Sequence, residues 1–277
     1  IIDLYRLQPE FDSALKKINS REITESRLLN RNDLIELVPA LSKTRANFVG
    51  GLERKTAETG DAHLFANGIT NAAEKYGAKT IFNCKVDYIT MENGHVIGVK
   101  TNNGMLSGDT VVLCAGVGSR QLLKPLGIML PIYPVKGYSV TVPVHNTDLI
   151  PKSALFDHQQ RSVILPLRNR LRITGFAEFD GYNRRINKQH AELLLNKLKN
   201  LLPDSADYRK PIFWCGLRPM TPNCSPIIGQ TPIPGLYLNT GHGSNGWMLA
   251  CGSSKIVADI ISKQNSEISI EGFSFNS

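Results

Sequence analysis

No stretch of the 277 residues approaches the ~20 apolar residues that a membrane-spanning helix needs. The best candidate, Val111-Val-Leu-Cys-Ala115, is far too short. The first ten residues carry acids and lack a long apolar stretch, so they do not read as a secretory leader. No Cys-x-x-Cys pair occurs among Cys84, Cys114, Cys215, Cys224 and Cys251. The odd count reads as reduced, buried and inert thiols in a cytoplasmic protein. No His, Cys or Asp cluster has metal-ligand spacing, which argues against a metal site. Ser244 lacks the Gly-x-Ser-x-Gly setting of a serine hydrolase. The formal net charge is +8, but there is no Lys/Arg block and no interleaved aromatic stripe. That pattern argues against nucleic-acid binding and leaves room for attraction to an anionic membrane surface. What is present is enough apolar residue, 42% against 20% charged, to build a core rather than a disordered chain. The length suits one large domain or two smaller ones.

Along the chain the period of the apolar residues changes. Residues 7–18 and 32–38 read as helices, with Pro9 near the start of the first and Pro39 ending the second. Asp61 is a good N-cap for a helix carrying Leu64, Phe65, Ile69, Ala72, Ala73 and Tyr76, which Gly77 closes. Residues 80–82, 85–90 and 96–101 then read as strands, the last two joined by the Asn93-Gly94 hairpin turn. Residues 110–114 read as a buried strand running into Ala115-Gly116. From Pro131 the texture is mixed and largely antiparallel: strands at 138–142, 154–157, 162–165 and 171–177, and a helix at 187–202. A strand at 236–239, a glycine-rich turn and a helix at 247–262 return to the first texture.

The turn Gly241-His-Gly243-Ser-Asn-Gly246 follows a strand and opens a helix, the setting of a dinucleotide fingerprint. Glu267 lies about twenty positions on, yet only ten residues follow it, too few for the remaining strands of a nucleotide-binding sheet. The turn therefore reads as something other than a pyrophosphate cradle. Its free N–H groups and helix dipole suit an electron-rich partner: a phosphate, a carboxylate or a reduced flavin ring. The second feature is Cys215-Gly-Leu-Arg218-Pro-Met-Thr-Pro222. It sets Arg218 between a strand-like run (211–217) and a proline-rich turn, and its two-pronged donor suits a carboxylate.

Together with Gly60-Asp-Ala-His63, Phe82-Asn-Cys-Lys-Val86, Val111-Val-Leu-Cys-Ala-Gly116, Tyr133-Pro-Val-Lys-Gly-Tyr138 and Gly246-Trp-Met-Leu-Ala-Cys-Gly252, these stretches carry a likeness. The chain resembles the D-amino-acid oxidase-like FAD oxidoreductases, most of all the bacterial D-amino-acid dehydrogenases of small-subunit type. The resemblance implies an α/β plus α+β fold. An incomplete, Rossmann-like FAD-binding domain (59–130 and 211–266) would accompany a mixed, largely antiparallel substrate domain (131–210), to which a helical segment (1–58) contributes. It implies that Val86, Ala115, Gly116, Gly241, His242, Gly243, Ser244, Asn245, Gly246, Trp247 and Met248 border FAD, and that Arg218 holds the substrate carboxylate. It further implies oxidative deamination of a D-amino acid. Electrons would pass to a quinone or respiratory chain, with peripheral contact at the inner membrane.

The sequence departs from the family pattern in three places. Related oxidases carry a tyrosine near 162–165, where this chain reads Gln159-Gln-Arg-Ser-Val163. Glycine-oxidase-like members have an arginine in the turn where this chain has Ser244. No strand, Gly-x-Gly-x-x-Gly and helix unit stands before residue 59, and the chain starts without Met. The expectation is that residues upstream are missing, that the chain covers the C-terminal two-thirds of a family protein, and that alone it holds FAD weakly. The alternatives are a different flavin amine enzyme (glycine, sarcosine or opine type) and an inactive fragment.

Overall fold

The structure is a computed structural model that describes residues 1–19 and 25–275. Among them the chain forms six α-helices and fourteen strands, grouped in two compact units. The first unit comprises residues 1–65, 136–178 and 183–216, and the second 66–135, 179–182 and 217–277.

Most of the first unit is a sheet of eight strands, of which residues 133–135 and 217–220 count with the second unit: β1 (Ile2–Tyr5), β2 (Ser26–Asn30), β3 (Gly50–Arg54), β8 (Tyr133–Pro143), β9 (Leu155–Asp157), β10 (Ser162–Leu167), β11 (Arg170–Glu178) and β12 (Ile212–Met220). Their spatial order is β12-β8-β11-β10-β9-β1-β3-β2. β1 pairs in parallel with β9, whereas the β1–β3, β2–β3, β9–β10, β10–β11 and β8–β11 pairs are antiparallel. Alternate residues Val140, Val142, Ile164, Leu171 and Ile173 face one side. There they bury against Leu34 of α2 (Arg31–Leu37) and Leu194, Leu198 and Leu201 of α5 (Lys188–Leu201). Both helices start as their sequences dictate. Asn30 accepts from Asn32 N and Asp33 N to cap α2, and Asn187 accepts from Gln189 N to cap α5. α1 (Gln8–Asn19) packs with Tyr5 and Leu52 through Ala14.

β1, β2 and β3 lie where the sequence pattern showed only helices. Charged residues occupy inward places there, because they pair: Arg54 donates to Asp3 at 2.9 Å and Arg6 to Asp157 at 2.6 Å. Gly50 sits in β3 at a close approach of two strands: a Cβ there would stand 2.5 Å from Leu29 O. At the far side of the sheet Lys136 is 1% exposed. Its ammonium lies 3.2 Å from Glu178 and donates to Arg185 O at 3.3 Å. The Tyr138 hydroxyl also donates to Glu178. That bond first, and Lys136 after it, holds the Glu178 carboxyl below the ordinary carboxylate range.

The second unit holds two small sheets. β4 (Val86–Glu92), β5 (His95–Thr101) and β6 (Gly104–Ser107) form an antiparallel meander. β7 (Val111–Leu113), β13 (Ile227–Gln230) and β14 (Leu236–Thr240) form the other, in the order β13-β14-β7 with β7 and β14 parallel. α4 (Gly118–Leu123) follows β7, and α6 (Gly246–Ile261) follows β14. Leu113, Val117, Leu123, Leu236 and Leu238 form the core between them. Four expectations change here. Cys114, Cys224 and Cys251 are exposed, not buried. Residues 80–82 form no strand: Ile81 and Phe82 are exposed, and Asn83 adopts a left-handed φ of 54° that ends the extended run. β7 is an edge strand with Val112 39% exposed, not a strand buried on both faces. α3 (Ala62–Lys75) forms with Asp61 as its cap, yet none of its residues is buried.

Candidate functional site

The parallel pair β7–β14 places two turns side by side, beyond the carboxyl ends of neighbouring strands. In sheets of this kind ligands bind at that end. After β7 the chain turns through Ala115 and Gly116, with Gly118 N donating to Ala115 O at 2.9 Å and Ser119 N to Gly116 O at 3.1 Å. Gly116 has a φ of 55°. After β14 the chain turns through Gly241 (φ 78°) and Gly243 (φ 54°) into α6. A short hydroxyl chain ties the two turns together. Thr240 Oγ1 donates to Gly116 O at 3.2 Å, and Ser119 Oγ lies 3.0 Å from Thr240 Oγ1. Both side chains are buried, Thr240 to 1% and Ser119 to 0% exposure. The sequence patterns did not single out Ser119 or Thr240. Their only signal is a small hydroxyl residue directly flanking each glycine turn.

The N-terminus of α6 is open. Its N-cap, Asn245, makes no side-chain capping bond, and the first turn carries no acid. Asn245 N donates to His242 O at 3.0 Å, which closes the turn under the helix start. Ser244 sits within it. Trp247 is half-exposed and Met248 largely exposed at the same end. The helix dipole and the uncapped N–H groups make this end a natural place for developing negative charge.

His242 lies in the turn as a neutral group. Its Nε2 lies 3.1 Å from Ser253 Oγ, which also donates to Ala250 O at 3.2 Å. Burial lowers the imidazole pKa below its ordinary value. The unfolded chain then binds a proton that the folded chain refuses. The stability from this group is intact above about pH 6.5 and is lost as pH falls through the folded value. Thermal melts between pH 7.5 and 5 should show a steeper loss of Tm in the wild type than in His242→Gln. Equal slopes would remove this titration from the picture.

Arg218 stands inside β12 rather than in a turn after it. Pro219 is tolerated because β12 is the edge of its sheet. The guanidinium is half-buried, and burial lowers its pKa from the ordinary value. Gly243 N donates to Pro219 O at 3.0 Å, which locks the residue next to Arg218 onto the glycine turn. The turn is packed tightly there. A Cβ at Gly241 would stand 3.0 Å from Thr221 Cγ2, and one at Gly243 would stand 2.9 Å from Met220 Sδ. The structure thus brings together Ala115, Gly116, Arg218 and the run from Gly241 to Met248. Val86 is the first residue of β4, paired with Thr101 in the meander.

Comparison with known proteins decides the family. The FAD dependent oxidoreductase (DAO) family matches residues 2–260. The chain belongs to this family. It is 39% identical over 271 residues to a D-amino acid dehydrogenase of Bradyrhizobium diazoefficiens, covering 97% of this chain and 64% of that protein. A D-amino acid dehydrogenase of Rhizobium rhizogenes is 37% identical over 269 residues, covering 96% and 64%. The chain spans 64% of the length of these two relatives. In fold it is similar to glycine oxidase from Geobacillus kaustophilus, with a TM-score of 0.86 and 25% identity over 99% of this chain and 73% of that one. L-proline dehydrogenase from P. horikoshii shares the fold at a TM-score of 0.81 and 19% identity, covering 99% and 75%. The FAD-dependent family and the α/β plus α+β architecture expected from the sequence are both present. The open start of α6, free of an acidic first turn and joined to a second glycine turn, fits the electron-rich edge of such a cofactor. Among the described residues no helix is long and apolar enough to cross a membrane.

Proposed function

We propose that this chain carries the flavin-facing and substrate-anchoring part of an FAD-dependent D-amino-acid dehydrogenase. The observation that supports it most is the bond from Gly243 N to Pro219 O at 3.0 Å. It holds a carboxylate-binding arginine beside a helix start suited to anionic charge, within one compact unit. FAD, when bound, supplies the hydride acceptor. Arg218 holds the α-carboxylate and so orients Cα. The N–H groups at the start of α6 would face the cofactor and favour negative charge at that end. With the cofactor bound, a D-amino acid would be oxidised to its imino acid, which water hydrolyses to a 2-oxo acid and ammonia. Electrons go on to a quinone or respiratory acceptor, and the net charge of +8 suits peripheral contact with an anionic inner membrane.

Glycine or another small amine is the second reading, favoured by the likeness to glycine oxidase. One experiment separates them. The protein is mixed with excess FAD, and its visible spectrum is recorded before and after anaerobic D-alanine, L-alanine or glycine. The expected result is weakly held flavin that D-alanine bleaches and L-alanine does not. Bleaching by glycine alone would transfer the assignment to the second reading. Flavin that no amine bleaches would end both.

A further inference from the structure

Beside the glycine turn lies an apolar cleft of about 330 Å³, formed by Pro131, Tyr133, Val135, Phe179, Met220 and Pro222 within the second unit. None of these residues is charged. Thr221, which also lines the cleft, already donates its hydroxyl to Ser225 O at 2.7 Å. The rings of Tyr133 and Phe179 stand 5.9 Å apart, tilted by 37°, with Phe179 74% exposed. Two large aromatic faces held open to water around a concave floor mark a place where an apolar group is meant to sit.

The position of the cleft says which group. Met220 follows Arg218 by two residues on β12, so both side chains leave the same face, about 7 Å apart along the strand. That is close to the reach of an aromatic amino acid from its carboxylate to the far edge of its ring. Met220 is held from the other side by Gly243, whose missing Cβ leaves room for its sulfur. A methionine in that place adapts to rings of different size. We infer that this cleft takes the side chain of the amino-acid substrate and selects bulky apolar or aromatic side chains over small ones. The inference rests on the carboxylate role given to Arg218.

The test uses two carboxylates that bind without reacting: 3-phenylpropionate and propionate, the skeletons of phenylalanine and alanine without the amine. Calorimetric titration of the FAD-supplemented protein should give 3-phenylpropionate an affinity roughly 10- to 100-fold above propionate, the range expected for burying a benzyl group. Phe179→Ala should shrink that ratio at least fivefold, and Tyr133→Ala should do so as a second, independent variant. Arg218→Met should weaken both ligands. Equal affinities in the wild type, or a preference that survives both aromatic variants, would overturn the inference. If neither carboxylate binds, the role of Arg218 falls and the cleft assignment with it. If the preference is found but no D-amino acid bleaches the flavin, the cleft stands and the dehydrogenase reading falls.

Discussion

Gly243→Val should weaken flavin binding by roughly 30-fold or more while leaving the secondary structure intact. Gly243 has a φ of 54°, a left-handed conformation that a β-branched residue adopts only under strain. Its new Cβ would also stand 2.9 Å from Met220 Sδ and 3.4 Å from Met220 Cε. The sulfur can move, so the clash alone is relieved by a rotation. The backbone cannot move without breaking the bond from Gly243 N to Pro219 O, which fixes the turn against β12. Left-handed strain of about 1–2 kcal/mol, together with the loss of that bond at about 1 kcal/mol, amounts to a weakening of FAD affinity by roughly 30-fold or more. Gly243→Asn is the informative partner. Asparagine tolerates the left-handed region, so it keeps the turn and suffers only the contact with Met220. Fluorescence titration of FAD into both variants, with far-UV circular dichroism as the check on folding, should order them wild type, Asn, Val. Equal affinities for wild type and Val would show that the turn does not border the flavin.

The legibility of this protein in its sequence divides along one physical line. Signals that act within a few residues were readable. Asp61 capping α3, Asn93-Gly94 joining β4 to β5, the period of α5 and the glycine turn before α6 all stand where the pattern placed them, within one or two residues. Signals that depend on a partner distant in sequence were not. β1 reads as no strand, because Asp3 breaks the apolar pattern until Arg54, fifty-one residues away, pairs with it. Residues 80–82 have the composition of a strand, but a strand is a pairing, and among the described residues none is made with them. The apolar stripe of α3 predicts a covered face, and no residue of that helix is buried. The site shows the same division. The glycine turn and Arg218 stand out as motifs, whereas the Ser119–Thr240 link joins residues 121 positions apart and exists only once β7 lies beside β14. The cleft of Tyr133, Phe179 and Met220 is likewise assembled from three separate segments. Tyr133 and Met220 belong to stretches the sequence had already flagged, but no local pattern could have grouped them with Phe179.

Arg218→Met should lower kcat/KM for D-alanine by about 10³-fold, with most of the loss in KM. A charge-assisted hydrogen bond contributes about 1.5–3 kcal/mol, and a guanidinium offers a carboxylate two of them. Their joint loss therefore approaches 4 kcal/mol, which is that factor of a thousand. The half-buried setting that lowers the Arg218 pKa also thins the solvent screening of its charge, which argues for the upper part of the range. The split between KM and kcat follows from where charge changes. The carboxylate keeps its charge from bound substrate to transition state, so Arg218 grips both alike, and uniform binding appears in KM. The residual effect on kcat measures how far a loosely held Cα drifts from its reacting geometry. Arg218→Lys retains the charge but lacks the planar fork, so it should recover only part of the loss, roughly tenfold to a hundredfold below wild type. Steady-state kinetics of the flavin-loaded protein with D-alanine, repeated with an artificial electron acceptor in excess, reads both variants. A change within threefold for Arg218→Met would show that the carboxylate is held elsewhere. A large fall in kcat at unchanged KM would instead place Arg218 against charge that develops during hydride transfer, in company with the start of α6.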